Sequence, residues 1–176
     1  MNRRHIISVL VENRFGVLAR ISSLIAGRGF NIDSLSVGET EDPTVSRMTI
    51  VTHGDEHIIE QITKQLNRLI DVIKVSDLTE TSHVERELVL VKVSAPNAQV
   101  RSEIIQIADV FRAHVVDISA NCMTIEVTGD QEKVEAMVRL LEPFGIKEMA
   151  RTGVVALGRE VNGRATRRAA EEMKAA

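Results

Sequence analysis

Residues 12–38 read ENRFGVLARISSLIAGRGFNIDSLSVG, and this stretch decides the fold. A strand runs into Asn13, and the chain turns at Gly16. Apolar residues then recur at positions i, i+1, i+4, i+7 and i+8, which is typical of one helix face; they are Val17, Leu18, Ile21, Leu24 and Ile25. A second glycine turn, Gly27 and Gly29, ends this helix, and a second strand is predicted at 32–37.

The flanking segments extend this strand–helix–strand unit. Residues 6–11 form a short apolar run rich in β-branched residues, which predicts a buried central strand. Residues 45–52 predict a third strand after an acidic loop at 38–44, and 72–75 predict a fourth. Between these last two strands a helical face is carried by Ile58, Ile59, Ile62, Leu66, Leu69 and Ile70. The resulting order, β-α-β-β-α-β, is that of the ferredoxin-like fold.

The second half of the chain repeats the same order. Strands are predicted at 88–93, 115–119, 123–127 and 146–150, and helix faces at 100–111 and 134–141. The letters MTI at 48–50 recur at 123–125, and GD at 54–55 recurs at 129–130. We therefore predict an α+β protein made of two tandem ferredoxin-like βαββαβ units.

The polarity of the intervening segments predicts the domain boundaries. The first unit is expected at 1–78, a polar linker at 79–87, and the second unit at 88–157. Residues 158–176 are charged and alanine-rich, which favours a flexible tail. An alternative for this tail is an arginine-bearing segment that folds onto a partner protein.

Composition excludes several classes of function. The chain has 176 residues and a net charge of −3, so it has no large basic field for nucleic acid or for an acidic membrane. None of the four Phe residues falls on a predicted strand, which argues against RNA stacking on a sheet. The N-terminal apolar run is too short for a signal peptide or a membrane span. The single cysteine, Cys122, excludes an internal disulfide and predicts a reducing cytoplasm.

The first unit contains a candidate binding corner for a small zwitterion. The amides at a helix start near Gly16, together with the helix dipole, suit a carboxylate. Asn13 and Asn31 supply acceptors and donors that can satisfy an ammonium and assist a carboxylate, and we expect them to converge on one corner of the sheet. An aliphatic wall for a branched side chain is expected from Val17, Leu18, Ile32 and Val37.

A simpler interpretation of the same residues stays open. Gly16 is then only a turn residue with positive φ, and Asn13 only caps the following helix. The second unit has PNAQ at 96–99 in place of the glycine turn, so a binding corner would belong to the first unit alone.

No catalytic, cofactor-binding or metal-binding residues are predicted for this chain. His53 and His57 are four apart, but Gly54 and Asp55 lie between them at a strand-to-helix turn, and no third ligand stands out. No nucleophile or positioned acid–base pair is visible.

The stretch 12–38, followed by DPTVSRMTI at 42–50, resembles the ACT domain, a regulatory amino-acid-binding module. Over nearly its first 80 residues the chain looks like a member of the family of small regulatory subunits of acetohydroxyacid synthase (acetolactate synthase). The resemblance continues more loosely through 84–93 and 151–157. It implies that the first unit is an ACT domain and that the second serves dimerisation or partner docking.

The resemblance also implies a function and a site. Two ACT domains of a homodimer would pair side by side and bind valine at their interface, through positions that fall on Asn13, Gly16, Val17, Asn31, Ile32 and Val37. The chain would bind the catalytic large subunit, raise its activity and confer feedback inhibition by valine. Thiamine diphosphate, Mg and FAD would be carried by that catalytic partner.

Two other functions stay open. One is a stand-alone amino-acid sensor that regulates a different partner. The other is a small enzyme, because several enzymes share the ferredoxin-like topology.

Overall fold

The computed structural model describes residues 3–27 and 31–160. They form two compact units, the first from residues 3–84 and 156–160 and the second from Glu85–Val155. The predicted flexible tail lies outside the described residues from position 161 onward, as does Gly29 of the predicted second glycine turn.

The first unit is a four-stranded antiparallel sheet with two helices. Its strand order is β2-β3-β1-β4, so β2 is an edge strand. Because β3 is antiparallel to both β1 and β2, these two strands run in the same direction. The elements are β1 (Arg3–Glu12), α1 (Val17–Ala26), β2 (Ser34–Glu39), β3 (Val45–Gly54), α2 (Glu56–Leu66) and β4 (Val72–Asp77).

One face of this sheet and the two helices enclose an aliphatic core. Alternate residues of a strand point to opposite faces, so the apolar residues at odd positions of β1 meet the helices. The buried members of this core are Ile7, Val9, Val11, Val17, Ile21, Ile25, Met48, Ile50, Ile59, Ile62 and Leu66. The periodicities that predicted the elements are therefore those of the core positions.

The second unit has the same element order. Its strand order is β6-β7-β5-β8, and a short 3₁₀ turn at Glu142–Phe144 precedes the last strand. The elements are β5 (His83–Ser94), α3 (Ala98–Val110), β6 (His114–Ile118), β7 (Cys122–Gly129), α4 (Gln131–Leu141) and β8 (Ile146–Arg151). The predicted class, two tandem ferredoxin-like units, is confirmed.

Strand β5 begins five residues earlier than the sequence predicts. Residues 83–87, which fall within the predicted polar linker, continue its alternating pattern of exposure. Glu87 is buried and its carboxylate pairs with Arg151 Nη1 at 3.1 Å. A buried acid with an arginine partner on the neighbouring strand is not visible as a strand signal in the sequence.

A short last strand, β9 (Val155–Gly158), returns the chain to the first unit and was not predicted. It pairs with β5. The Ala156 amide donates to Thr49 Oγ1 at 3.4 Å, and Ala156 is buried. The Arg159 amide donates to the Ser82 carbonyl at 2.7 Å. Because Met48 and Ile50 belong to the core, Thr49 points away from the helices, and Ala156 lies against it on the other face of the first sheet.

The α-helices of the described residues are 10–13 residues long. Within residues 3–27 and 31–160, none is long and apolar enough to cross a bilayer.

Candidate functional site

Helix α1 begins at Gly16 in a conformation that favours glycine. The φ of Gly16 is +84°, in the left-handed region that a side chain disfavours. Apart from the adjacent residues of the chain, no atom of the described residues would lie within 4 Å of a Cβ placed on Gly16. The space over the first turn of α1 is therefore open, and the glycine is required by the backbone rather than by close packing.

No side chain of the described residues caps the first turn of α1, unlike the first turns of the other described α-helices. In those helices a side-chain oxygen accepts a backbone N–H of the first turn; the capping residues are Asp55 for α2, Asn97 for α3 and Asp130 for α4. In α1 the Arg20 amide donates to the Gly16 carbonyl. The amides of Leu18 and Ala19 have no acceptor in the part of the chain that the structure describes. They form a turn of orphan donors suited to an anion.

Asn13 lies beside this turn, but it does not cap the helix. Its Nδ2 donates to the Pro43 carbonyl at 2.9 Å and to Glu39 Oε1 at 3.1 Å, and its backbone amide donates to the Thr44 carbonyl at 2.7 Å. The alternative interpretation of Asn13 as a helix cap is therefore wrong. Glu39, an exposed residue at the end of β2, is one of the partners of Asn13.

The loop that holds Asn13 is itself fixed by hydrogen bonds. Asp42 Oδ1 accepts from the Thr44 hydroxyl at 2.7 Å and from the Thr44 amide at 2.9 Å. The Thr44 hydroxyl, with a smaller contribution from the amide, stabilises the carboxylate and lowers the pKa of Asp42 below its ordinary range. The Asp42 carbonyl accepts from the Val45 amide at 2.9 Å, which closes the turn between β2 and β3.

Asn31 is held at the start of β2. Its Nδ2 donates to Asp33 Oδ1 at 2.9 Å, and its carbonyl accepts from the Thr52 hydroxyl at 2.6 Å. The other oxygen of Asp33 contacts His53 Nδ1 at 2.6 Å. Asn31 therefore belongs to a polar group of its own, built on residues that lie just before β2 and on the last residues of β3.

The prediction that Asn13 and Asn31 share one corner of the sheet is wrong. Glu39, which binds Asn13, lies opposite Ser46, whereas Ser34, just after Asn31, lies opposite Val51. These five steps along β3 correspond to about 17 Å. The physical reason is the crossover through α1, because it returns the chain to the end of the sheet where β1 began.

The four residues of the predicted aliphatic wall differ in their exposure. Val17 is 3% exposed and packs in the core, so its side chain offers little surface to a ligand; its amide donates to the Arg14 carbonyl at 3.4 Å. Ile32 is half-buried against the same core. Leu18 and Val37 are each 44% exposed, so these two can contact a ligand.

An ion pair that the sequence did not indicate lies at this end of the first unit. Arg20 Nη1 of α1 contacts Asp71 Oδ2, and Asp71 is buried just before β4. The Asp71 carbonyl accepts from the Glu12 amide at 2.9 Å. Because Arg20 and Asp71 are far apart in sequence, no local signal could have identified the pair.

His53 and His57 each contact a different side chain. His53 contacts Asp33, and His57 Nε2 contacts Gln61 Nε2 at 2.9 Å. Within the described ranges, no group of three or more His, Cys, Asp or Glu side chains is arranged to hold a metal ion.

Comparison with known proteins matches both units. The family model described as an AHAS small subunit-like ACT domain matches residues 7–74. The model described as the small subunit of acetolactate synthase matches residues 86–160.

Individual relatives agree along most of their length. The acetolactate synthase small subunit of Aquifex aeolicus is 59% identical over 160 residues, which cover 91% of this chain and 83% of that protein. The probable acetolactate synthase small subunit of Methanothermobacter thermautotrophicus is 56% identical over 155 residues, covering 88% of this chain and 92% of that protein.

A solved structure supports the same relationship. The crystal structure of the acetolactate synthase small subunit of Thermotoga maritima superposes with a TM-score of 0.80 at 43% identity, and the match covers 90% of this chain and 98% of that one. With the family models and the relatives, this similarity spans both ferredoxin-like units. The chain therefore belongs to the family of acetolactate synthase small subunits, the regulatory subunits of that enzyme complex, and its first unit is an ACT domain.

Proposed function

We propose that this chain binds the catalytic large subunit of acetolactate synthase, raises its activity and makes it sensitive to feedback inhibition by valine. One observation supports the effector site above all others: the first turn of α1 presents orphan amides under open space at Gly16, next to an exposed Asn13. The thiamine diphosphate, Mg and FAD of the reaction are expected on the large subunit.

Each part of a branched amino acid has a partner at this end of the ACT domain. The carboxylate would accept hydrogen bonds from the amides of Leu18 and Ala19. The ammonium would donate to Oδ1 of Asn13, which receives no hydrogen bond from the described residues. The exposed side chains of Leu18 and Val37 would cover the branched apolar group.

Asn13 and Asn31 lie at opposite ends of the sheet, which favours a site shared by two subunits. A ligand the size of an amino acid cannot span about 17 Å, so it cannot touch both residues of one chain. Because β2 is an edge strand, two copies can pair side by side and antiparallel about a two-fold axis. The start of one β2 then lies beside the end of the other, and Asn31 of the partner subunit approaches Asn13.

A ligand at such an interface regulates by changing populations. Valine can lower the activity of the complex only if it binds more tightly to a dimer arrangement that activates the large subunit less well. We assign dimerisation or docking to the second unit, which has a capped helix start where the ACT domain has its open turn.

Acetolactate formation from pyruvate tests the proposal directly. The cognate large subunit is assayed with and without this chain, each with and without valine. Stimulation that valine reverses is the expected result. Stimulation with no valine response contradicts the effector site, and the absence of both stimulation and binding contradicts the partnership and favours a stand-alone sensor.

A further inference from the structure

The carboxamide of Asn13 is held in a single orientation. Its Nδ2 carries two hydrogens, and two acceptors bind them, the Pro43 carbonyl at 2.9 Å and Glu39 Oε1 at 3.1 Å. A flipped carboxamide would place Oδ1 against these same two oxygens, which cannot donate. Oδ1 therefore points away from the loop and offers a ligand an acceptor, never a donor.

Asp42 fixes the position of one of these two acceptors. It accepts both the amide and the hydroxyl of Thr44, at 2.9 and 2.7 Å. Pro43 lies between these two residues, so the turn sets where its carbonyl points. Glu39 supplies the second acceptor and also a negative charge 3.1 Å behind the amide nitrogen.

From this geometry we propose that the loop at 39–44 makes the effector site selective for an α-ammonium group, with Glu39 and Asp42 as positioning residues. They keep Oδ1 of Asn13 turned toward the ligand. An ammonium gains a charge-assisted hydrogen bond there, whereas a hydroxyl in its place gains a weaker one. The inference rests on the proposed function, because it requires an amino-acid effector at the start of α1.

Calorimetry measures how tightly two probes bind to the full chain. One probe is valine, and the other is its α-hydroxy analogue, in which a hydroxyl replaces the amino group. The affinity of the weaker probe is measured by competition. Glu39→Ala and Asp42→Ala should each weaken valine binding roughly tenfold, the equivalent of one charged hydrogen bond. Binding of the hydroxy analogue should change by less than about twofold. Glu39→Gln should restore most of the valine affinity, because its amide oxygen still accepts from Asn13.

A neighbouring acid provides the matched control. Glu41 lies in the same loop, is exposed, and makes no hydrogen bond or ion pair with the described residues. Glu41→Ala removes the same charge and should leave the affinity for both probes unchanged.

The other outcomes overturn the inference in distinguishable ways. Equal losses for both probes in Glu39→Ala and Asp42→Ala would mean that the loop serves only as structural support. Wild-type affinities in these variants, together with loss of valine binding in Asn13→Ala, would refute the inference and leave the proposed function intact. A wild-type chain that does not bind valine would refute both.

Discussion

Gly16 serves α1 in two ways. Its positive φ makes the turn from β1 into the helix, and its lack of a side chain leaves the first amides open. The nearby Val17 faces inward and contributes to the core. Gly16 thus keeps the start of α1 accessible, and the adjacent Val17 packs α1 against the core.

At this residue we predict that Gly16→Asp abolishes the valine response while activation of the large subunit is retained. The new carboxylate would lie close to the ligand's carboxylate. Because like charges repel, valine binding should weaken by about tenfold or more. Valine inhibition curves of the reconstituted complex provide the measurement.

Gly16→Asn is the matched control, because it has the same shape and the same backbone strain, about 1–2 kcal/mol for a left-handed residue, without the charge. It should retain more of the valine response than Gly16→Asp. Full valine inhibition in Gly16→Asp would contradict the placement of the carboxylate.

At the scale of elements, the turn between β2 and β3 contains a carboxylate, that of Asp42, whose charged form is stabilised by hydrogen bonds. The hydrogen bonds from Thr44 lower the pKa of Asp42 in the folded state. A lowered carboxyl pKa contributes stability above the unfolded pKa, and this contribution is lost as the pH falls through the folded pKa. The contribution of Asp42 to the stability of the folded state should therefore be present at neutral pH and disappear in acid.

Thr44→Val tests this, because it removes the hydroxyl, which is the main cause of the shift. We expect the carboxyl resonance of Asp42 to titrate at higher pH in Thr44→Val than in the wild type. The difference in Tm between the wild type and Thr44→Val should become smaller as the pH falls below the ordinary pKa range of aspartate. An unchanged titration of Asp42 would show that the hydroxyl does not stabilise its charge.

The elements also show how far the sequence predicts the structure. Apolar patterns predicted the four helices and eight of the strands, and the signal was clearest where a face is fully buried, as in β1, β3, β5 and β7. These patterns could not predict β9, since the burial of Ala156 depends on Thr49, far away in the chain. For the same reason the Arg20–Asp71 ion pair was missed.

The candidate site was predictable as a set of residue types but not as an arrangement. Gly16 and Asn13 are close in sequence and lie at the same end of β1. Asn31 was misplaced because nearness along the chain does not reveal which end of the sheet a crossover reaches. The capped starts of α2, α3 and α4 were needed to show that the open start of α1 is distinctive.

For the whole molecule, the shared site predicts complementation between subunits. Asn13→Ala and Asn31→Ala homodimers should each lose the valine response, because every site lacks one carboxamide. In a mixed dimer one site lacks both groups and the other is intact. We expect mixed dimers, purified with two different tags, to regain valine binding at about half of the sites.

The alternative arrangement gives the opposite result. If one chain supplied both carboxamides to the same site, each site of the mixed dimer would lack one of them. Mixed dimers would then bind valine no better than the two homodimers, and the shared site would be refuted.

The return of β9 to the first unit has a consequence for biosynthesis. A ribosome makes residues 3–84 first, but Ala156, which covers Thr49, is made only after all of Glu85–Val155. At about 5–20 residues per second, the ACT domain therefore waits several seconds for its last strand. During that interval Thr49 and its face of the sheet lack the contact with Ala156, so the nascent chain has a period of vulnerability to aggregation that the finished protein does not have.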